Sequence, residues 1–490
     1  MAVFVALVAA ILATLASGEP TRPVQQYWLQ ISLREPLRAH VKGRISIKDG
    51  RLFTGEGGCD QFPRHWAEFV KNLKVNDEAG QALKLSEITD KDSERGEWSV
   101  GDAYTGLAMV SYDVDLGFTK TKWAPSNEKA GFFDGKALYI VTKMLFLGSL
   151  LDLPVQLHVN APAGAGLATP WSATDKDQST FDVPTTFDLQ KNTIVLGDFL
   201  KHQVRQGNFQ FNLALLGSMR ESAAISTSTL EKFAIRYGKL FPSTPSSAYL
   251  ITIFYSDYEN GESFERSSAF VTARPLAESD VILWGDTQGH ELFHFWCGQQ
   301  ISGSQSDQSQ WFEEGFTEYY ANLSLMRGRM ISEDLFVKKM ENMLGKYLYF
   351  RAVPQFANVS IRDSGTRKTT YRFGVYNGGW AVAFGLDMTI RKATGGSKTL
   401  DDFMRAMFDR FGLTHKKFSY EALMATASQV AGTDLSSFFH KYVDGQETMP
   451  IMEWLRDLGY DALVQDYADE MYIRVVTSTP LKQAWLAEAQ

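Results

Sequence analysis

Gly289-His290-Glu291-Leu292-Phe293-His294-Phe295-Trp296, followed by Trp311-Phe312-Glu313-Glu314-Gly315-Phe316-Thr317-Glu318, is the stretch whose reading decides the fold. On a helix, residues four apart stand one above the other on one face, so the imidazoles of His290 and His294 can reach a single metal ion. Glu291 then sits beside that ion without having to ligate it, the position of a general base in an H-E-x-x-H helix. The chain holds 8 histidines in 490 residues, and a chance H-E-x-x-H in such a chain is expected on the order of once in a hundred.

A hydrolytic zinc site takes three protein ligands and keeps a fourth position for water, so two histidines need one more partner. Glu313, Glu314 and Glu318 are the candidates, all in one short helical run. Glu313 and Glu314 project about 100° apart, so only one of them faces the metal. Glu314 and Glu318 share a face. We read Glu314 as the ligand and Glu318 as the acid that accepts the free ring N–H of a zinc histidine, fixing its tautomer and orientation. The polar run Ser302 to Gln310 reads as a loop returning the chain between the two helices.

Together, H-E-x-x-H and W-x-x-E-G-F-T-x-Y-Y resemble the gluzincins, the thermolysin-like zinc peptidases that include the neutral aminopeptidases. Trp311 to Tyr320, Val375-Tyr376-Asn377-Gly378-Gly379-Trp380 and Phe438 to Gly445 with Met449-Pro450 are most similar to the glycyl aminopeptidase family. The resemblance covers about residues 245 to 460. It implies a Zn²⁺ cofactor, a peptide substrate and release of small N-terminal residues. It also implies that Tyr376, with Tyr371 as the fallback, donates a hydrogen bond where negative charge develops in the transition state. Gly378 stands where the family's Y-x-K-G motif has lysine, and nineteen residues separate His294 from Glu314. The family's glycine-acidic motif is replaced by Gly261 to Arg266, in which Glu262 or Glu265 can pair with a substrate α-ammonium. After Pro450 forty residues remain, too few for the PDZ domain that glycyl-family members often carry.

A net charge of −8 gives no electrostatic footprint for nucleic acid, and neither a Walker nor a dinucleotide glycine motif is present. Residues 2 to 17 are apolar and small, with Ala16-Ser17-Gly18 as a cleavage site, so a signal peptide and a secreted or periplasmic location are expected, with an uncleaved anchor as the alternative. No later segment is apolar enough for a stable membrane span. An exported chain can pair its two cysteines, Cys59 and Cys297, but sequence does not settle it. Cys297 reads as a small buried residue, because a fourth protein ligand would close the site.

The expected fold class is α+β, with an N-terminal β-sandwich-like domain, a thermolysin-like zinc catalytic domain and a helical C-terminal part. The boundaries are 1–18 for the signal peptide, 19–200 for the β-rich domain, 201–330 for the catalytic domain, 331–460 for the helical subdomain and 461–490 for a tail. Strands are expected at Tyr27 to Leu33, Val41 to Ile47, Gly106 to Leu116, Tyr139 to Phe146 and Val155 to Val159. Leu230, Phe233, Ala234, Tyr237 and Leu240 share one helical face. Leu250 to Tyr255 reads as a strand, and the resemblance to the gluzincins implies that it edges the cleft and pairs with extended substrate. A zinc peptidase, and within that an aminopeptidase, is the reading; a zinc endopeptidase and a non-catalytic peptide-binding protein are the alternatives.

Overall fold

The computed structural model describes residues 24–59, 61–89, 94–121, 127–206, 209–414, 416–467 and 470–478. The signal-peptide expectation falls outside these residues. The chain forms two compact units. One comprises residues up to Gly117 with Thr142–Pro162 and Trp171–Lys191; the other comprises Phe118–Val141, Ala163–Pro170 and the chain from Asn192 on.

Alternating sequence builds the first unit. Gln25–Ser32, for example, is buried at every second residue, so one face is turned inward. Six strands make its main sheet, in the order Thr180–Val183, Val155–Asn160, Gln25–Ser32, Arg38–Ile47, Gly106–Asp115 and Val70–Asp77. A three-stranded sheet accompanies it. The buried phenols of Tyr27 and Tyr112 donate to the carbonyls of Leu147 and Leu145 at 2.7 and 2.8 Å, satisfying polar atoms inside an apolar core.

The second unit holds the two metal-site motifs. Its five-stranded sheet contains β1 (Leu200–Gln206), β2 (Phe209–Leu215), β3 (Ala248–Tyr255), β4 (Asn260–Ser263) and β5 (Ser267–Thr272), in the spatial order β1-β2-β3-β5-β4. Strands β2, β3 and β5 are parallel, and their near-continuous apolar runs fit burial on both faces. The crossover from β2 to β3 is helix α1 (Ala223–Leu240), which buries Leu230, Phe233, Ala234, Tyr237 and Leu240 as their spacing predicts. Leu250 to Tyr255 thus belongs to an interior strand, β3, paired with β2 as far as Ile253 and with β5 as far as Tyr255. One edge is β4, which among the described residues pairs with β5 alone. The apolar run marks the middle of a parallel sheet, and the short polar strand is the one that can stand at its rim.

Helices follow: α2 (Val281–Phe293), α3 (Ser306–Arg327), α4 (Glu333–Ala352) and α5 (Gly379–Ala393). The expected loop 302–310 is shorter than its composition suggests, because Ser306 to Gln310 form the first turns of α3. Glu313 caps this junction: its carboxylate accepts from the Gly303 backbone N–H at 3.0 Å and the Ser309 hydroxyl at 2.8 Å. The strand expected to run from Tyr139 to Phe146 ends at Val141, where a 3₁₀ turn takes over at Thr142–Met144. The expected tail contains an antiparallel hairpin, Tyr460–Tyr467 with Glu470–Ser478. Among the described residues no helix is long and apolar enough to cross a membrane.

Candidate metal centre and cleft

Helix α2 carries His290 and Glu291 in its last turn and ends at His294. The chain turns away there through Gly298, whose φ of 102° is a region that residues with a Cβ rarely adopt. A Cβ at Gly298 would also lie 3.0 Å from His294 Nδ1. That Nδ1–H instead donates to the Cys297 carbonyl at 2.9 Å. Cys297 itself is fully buried, and both cysteines are free thiols. His290 Nδ1–H donates to Glu318 Oε2 at 3.0 Å. With both Nδ1 atoms donating, both Nε2 atoms carry lone pairs.

Those lone pairs converge. The two Nε2 atoms are 3.0 Å apart, and Glu314 Oε2 lies 3.1 Å from His290 Nε2 and 3.5 Å from His294 Nε2. Three buried acceptors at this spacing repel one another unless a cation lies among them. Two imidazole nitrogens and one carboxylate oxygen are a donor set that fits Zn²⁺ with one position left open, and these three residues form the group able to hold a metal ion among the described residues. Burial opposes the charge on Glu314, and the Lys368 ammonium beside it favours that charge.

Behind the ligands runs a charged chain. Glu318, facing His290, is 3.3 Å from Lys339 Nζ on α4, and the same ammonium is 2.5 Å from Asp286. Asn322 donates to Asp286 and accepts from the Trp380 indole at 3.2 Å. Burial works against ionising Glu318, but Lys339 and His290 keep it strongly acidic. Asp286 is one turn before His290 on α2, so helical spacing was a signal for it; Lys339 comes from another helix and no spacing points to it.

Helix α3 approaches α5 through two glycines. A Cβ on Gly315 would lie 2.3 Å from Gly379 Cα, and one on Gly379 would lie 1.9 Å from the Trp311 carbonyl oxygen. This close crossing sets the π-helical turn Phe373–Gly378 beside the ligands, so that the Tyr376 ring is 6.1 Å from that of His290. Burial and the charges of Glu314 and Glu291 push the Tyr376 phenol far up, so it stays a proton donor. Tyr371 lies off the cavity with its ring edge-on to Phe356.

His290, Glu291, His294, Glu314, Glu318, Tyr376 and Glu262 all line one cavity of about 760 Å³. Glu265 does not line it and accepts from Gln300 at 3.2 Å. Edge strand β4 forms one wall, and Gly261 lies so close to Glu291 that a Cβ there would be 2.5 Å from Oε1. Burial lifts the Glu291 carboxyl to about 7 against the pull of both histidines. Beside β4, the fully buried Glu128 accepts from the Tyr258 hydroxyl at 3.0 Å and the Asn260 amide at 2.9 Å, and burial raises its carboxyl to about 7. Lys129 is 3.5 Å from Glu262. Glu128 and Lys129 lie far upstream in a short 3₁₀ turn, with no motif to single them out.

Residues 277–442 match the model of the peptidase family M1 domain. No curated protein sequence matches the chain significantly. Among solved structures, an aminopeptidase N family protein from Idiomarina loihiensis shares 18% identity over 90% of this chain and 79% of its own, with a TM-score of 0.72. An M1 zinc metallopeptidase from Deinococcus radiodurans, bound to a Tyr-Ser-Ala substrate, shares 14% over 88% of this chain and 95% of its own, at 0.53. A two-domain M1 zinc metallopeptidase bound to L-tryptophan shares 14% over 88% and 95%, at 0.54. At these identities the structural likeness is one of fold. Residues 277–442 are thus similar to the peptidase family M1 domain, and the chain shares the α+β architecture of these solved zinc metallopeptidase structures.

Proposed function

We propose that this chain is an aminopeptidase, in which His290, His294 and Glu314 hold Zn²⁺ and Glu291 is the general base. The observation that carries the reading is the meeting, in one cavity, of three converging ligand atoms, a buried carboxylate beside them and a polar edge strand bearing Glu262. The chemistry that bound zinc supplies is Lewis acidity, which polarises a scissile carbonyl and makes a water easier to deprotonate. Glu291, poised by burial near neutrality, takes the proton of the attacking water and passes it to the leaving amine. The Tyr376 phenol, held protonated, donates to the oxygen on which negative charge develops. Glu318 fixes the His290 tautomer.

Exopeptidase character is supported by Glu262 on β4. An α-ammonium entering the cavity meets Glu262 there, displacing Lys129 from a pair that is only partly buried. Main-chain groups of β4 then offer an edge along which the peptide can lie. The test compares a free-amine peptide with its N-acetylated twin, with and without a chelator. Cleavage of the free amine alone, abolished by the chelator, supports the proposal; equal cleavage of both peptides would make the enzyme an endopeptidase. A panel of aminoacyl reporter substrates then defines the N-terminal residue, for which the glycyl-family resemblance suggests small side chains.

A further inference from the structure

Lys346 on α4, and Lys368 and Arg372 just before the Tyr376 turn, line the same cavity as the metal site. Two of these cations bracket Tyr376: the Arg372 guanidinium carbon is 4.3 Å from its ring centroid, and Lys368 Nζ is 5.5 Å from it. Lys346 Nζ lies 5.9 Å from the neighbouring Phe373 ring. The wall thus gathers three cationic side chains next to the ligands, in a chain whose net charge is −8.

Most other charges of the cavity are matched. Glu262 faces Lys129 at 3.5 Å, Glu259 faces Arg274 at 2.7 Å, and Asp286 and Glu318 share Lys339. Lys368 is taken by Glu314 at 2.5 Å. Arg372 differs: among the described residues it has the face of Tyr376 and no carboxylate partner. A guanidinium stacked on a ring keeps its planar fork oriented and free to bind a carboxylate through two parallel hydrogen bonds. Its place next to Tyr376 puts it within reach of a group about one or two residues from the bond being cut, at about 3.5 Å per extended residue.

We propose that Arg372 binds a substrate carboxylate on the leaving side of the scissile bond. The preferred substrates are then short peptides carrying a negative group there, either the free C-terminal carboxylate or an acidic side chain. This rests on the peptidase reading above and adds a substrate class to it.

The test measures binding of Ala-Ala, Ala-Ala-amide and Ala-Glu-amide to the zinc-loaded Glu291→Gln protein by calorimetry, with and without Arg372→Gln, and kcat/KM for the same peptides without the Glu291 change. A charge-assisted hydrogen-bond pair is expected to favour the acid over its amide by about tenfold or more. In Arg372→Gln the two converge, and Arg372→Lys restores part of the gap. Recovery by Ala-Glu-amide identifies an acidic side chain as sufficient; no recovery assigns the site to the C-terminal carboxylate. Because acid and amide are compared within one protein, any disturbance of Tyr376 cancels from the ratio. Equal affinity and turnover of acid and amide in the presence of Arg372 overturns the carboxylate site and leaves the peptidase reading standing. Selective binding of the acid with no cleavage of any peptide retains the site and sinks the peptidase reading.

Discussion

Replacing Gly261 by alanine sets a methyl carbon 2.5 Å from both Cγ and Oε1 of Glu291 and 2.8 Å from its Cδ. Ordinary contact begins near 3.4 Å, so something must move by about 0.9 Å. The Glu291 carboxyl is the far end of a flexible side chain, whereas Gly261 is held in register opposite Phe270. The side chain should therefore yield, and the base is displaced without disturbing His290, His294 or Glu314. A 1 Å misplacement of a reacting group costs about 10²-fold in rate. Stability should change little, since Gly→Ala at a compatible backbone gains about 0.4–1 kcal/mol through the unfolded state, set against the local crowding. The assay is kcat on an aminoacyl substrate, together with zinc stoichiometry and Tm of the same preparation. Loss of about two orders of magnitude in kcat with full zinc and unchanged Tm is expected. A kcat within about threefold of wild type, with zinc retained, would show that β4 withdraws instead and that Glu291 needs no such exact seat.

Glu291→Gln should keep its metal and lose about 10²–10⁴-fold in kcat, and normal turnover would remove Glu291 as the base. Glu314→Ala takes away one of three ligand atoms, so zinc content should fall below one per chain on dialysis; unchanged stoichiometry moves the third ligand elsewhere. Lys339→Met leaves Asp286 and Glu318 without their shared cation, and the weakened hold on His290 should loosen zinc by about 10–100-fold in a chelator competition; an unaltered zinc affinity refutes the link. Glu128 gives a pH signature. Its folded value of about 7 is raised by burial above the usual 4.5, so the folded state binds the extra proton. Its contribution is therefore favourable below about 4.5 and is progressively lost as pH rises through 7. Glu128→Gln should gain stability relative to wild type between pH 5 and 8 in urea titrations, and a flat difference across that range contradicts the buried-acid reading.

The legibility of the site followed the distance over which its residues act together. His290, Glu291 and His294 lie on one helical turn, and helical spacing alone puts their side chains together. Glu314 and Glu318 are one turn apart on the next helix, and the same rule separates them from Glu313, whose carboxylate holds the loop at Gly303 instead. Tyr376 was reachable only through likeness to a family, because its place beside His290 depends on the Gly315–Gly379 crossing of two helices. Between Glu262 and Glu265 sequence left the choice open, because two acids three apart on a turn and strand face different surroundings; of the two, Glu262 looks into the cavity.

Local periodicity in the chain was enough to determine the helix pair that carries His290, His294 and Glu314, the amphipathic α1 and four of the six strands of the first unit's main sheet, since each rests on interactions within a few residues. Only the tertiary structure decided which strand borders the cleft: the apolar run of β3 suits an interior strand and the short polar run of β4 a rim strand, but it is the fold that sets β4 against Glu291. It also decided the charges around the metal site. Lys339, Lys368, Arg372 and Glu128 come from separate elements, and a Coulomb interaction depends on distance in space, which sequence separation does not encode.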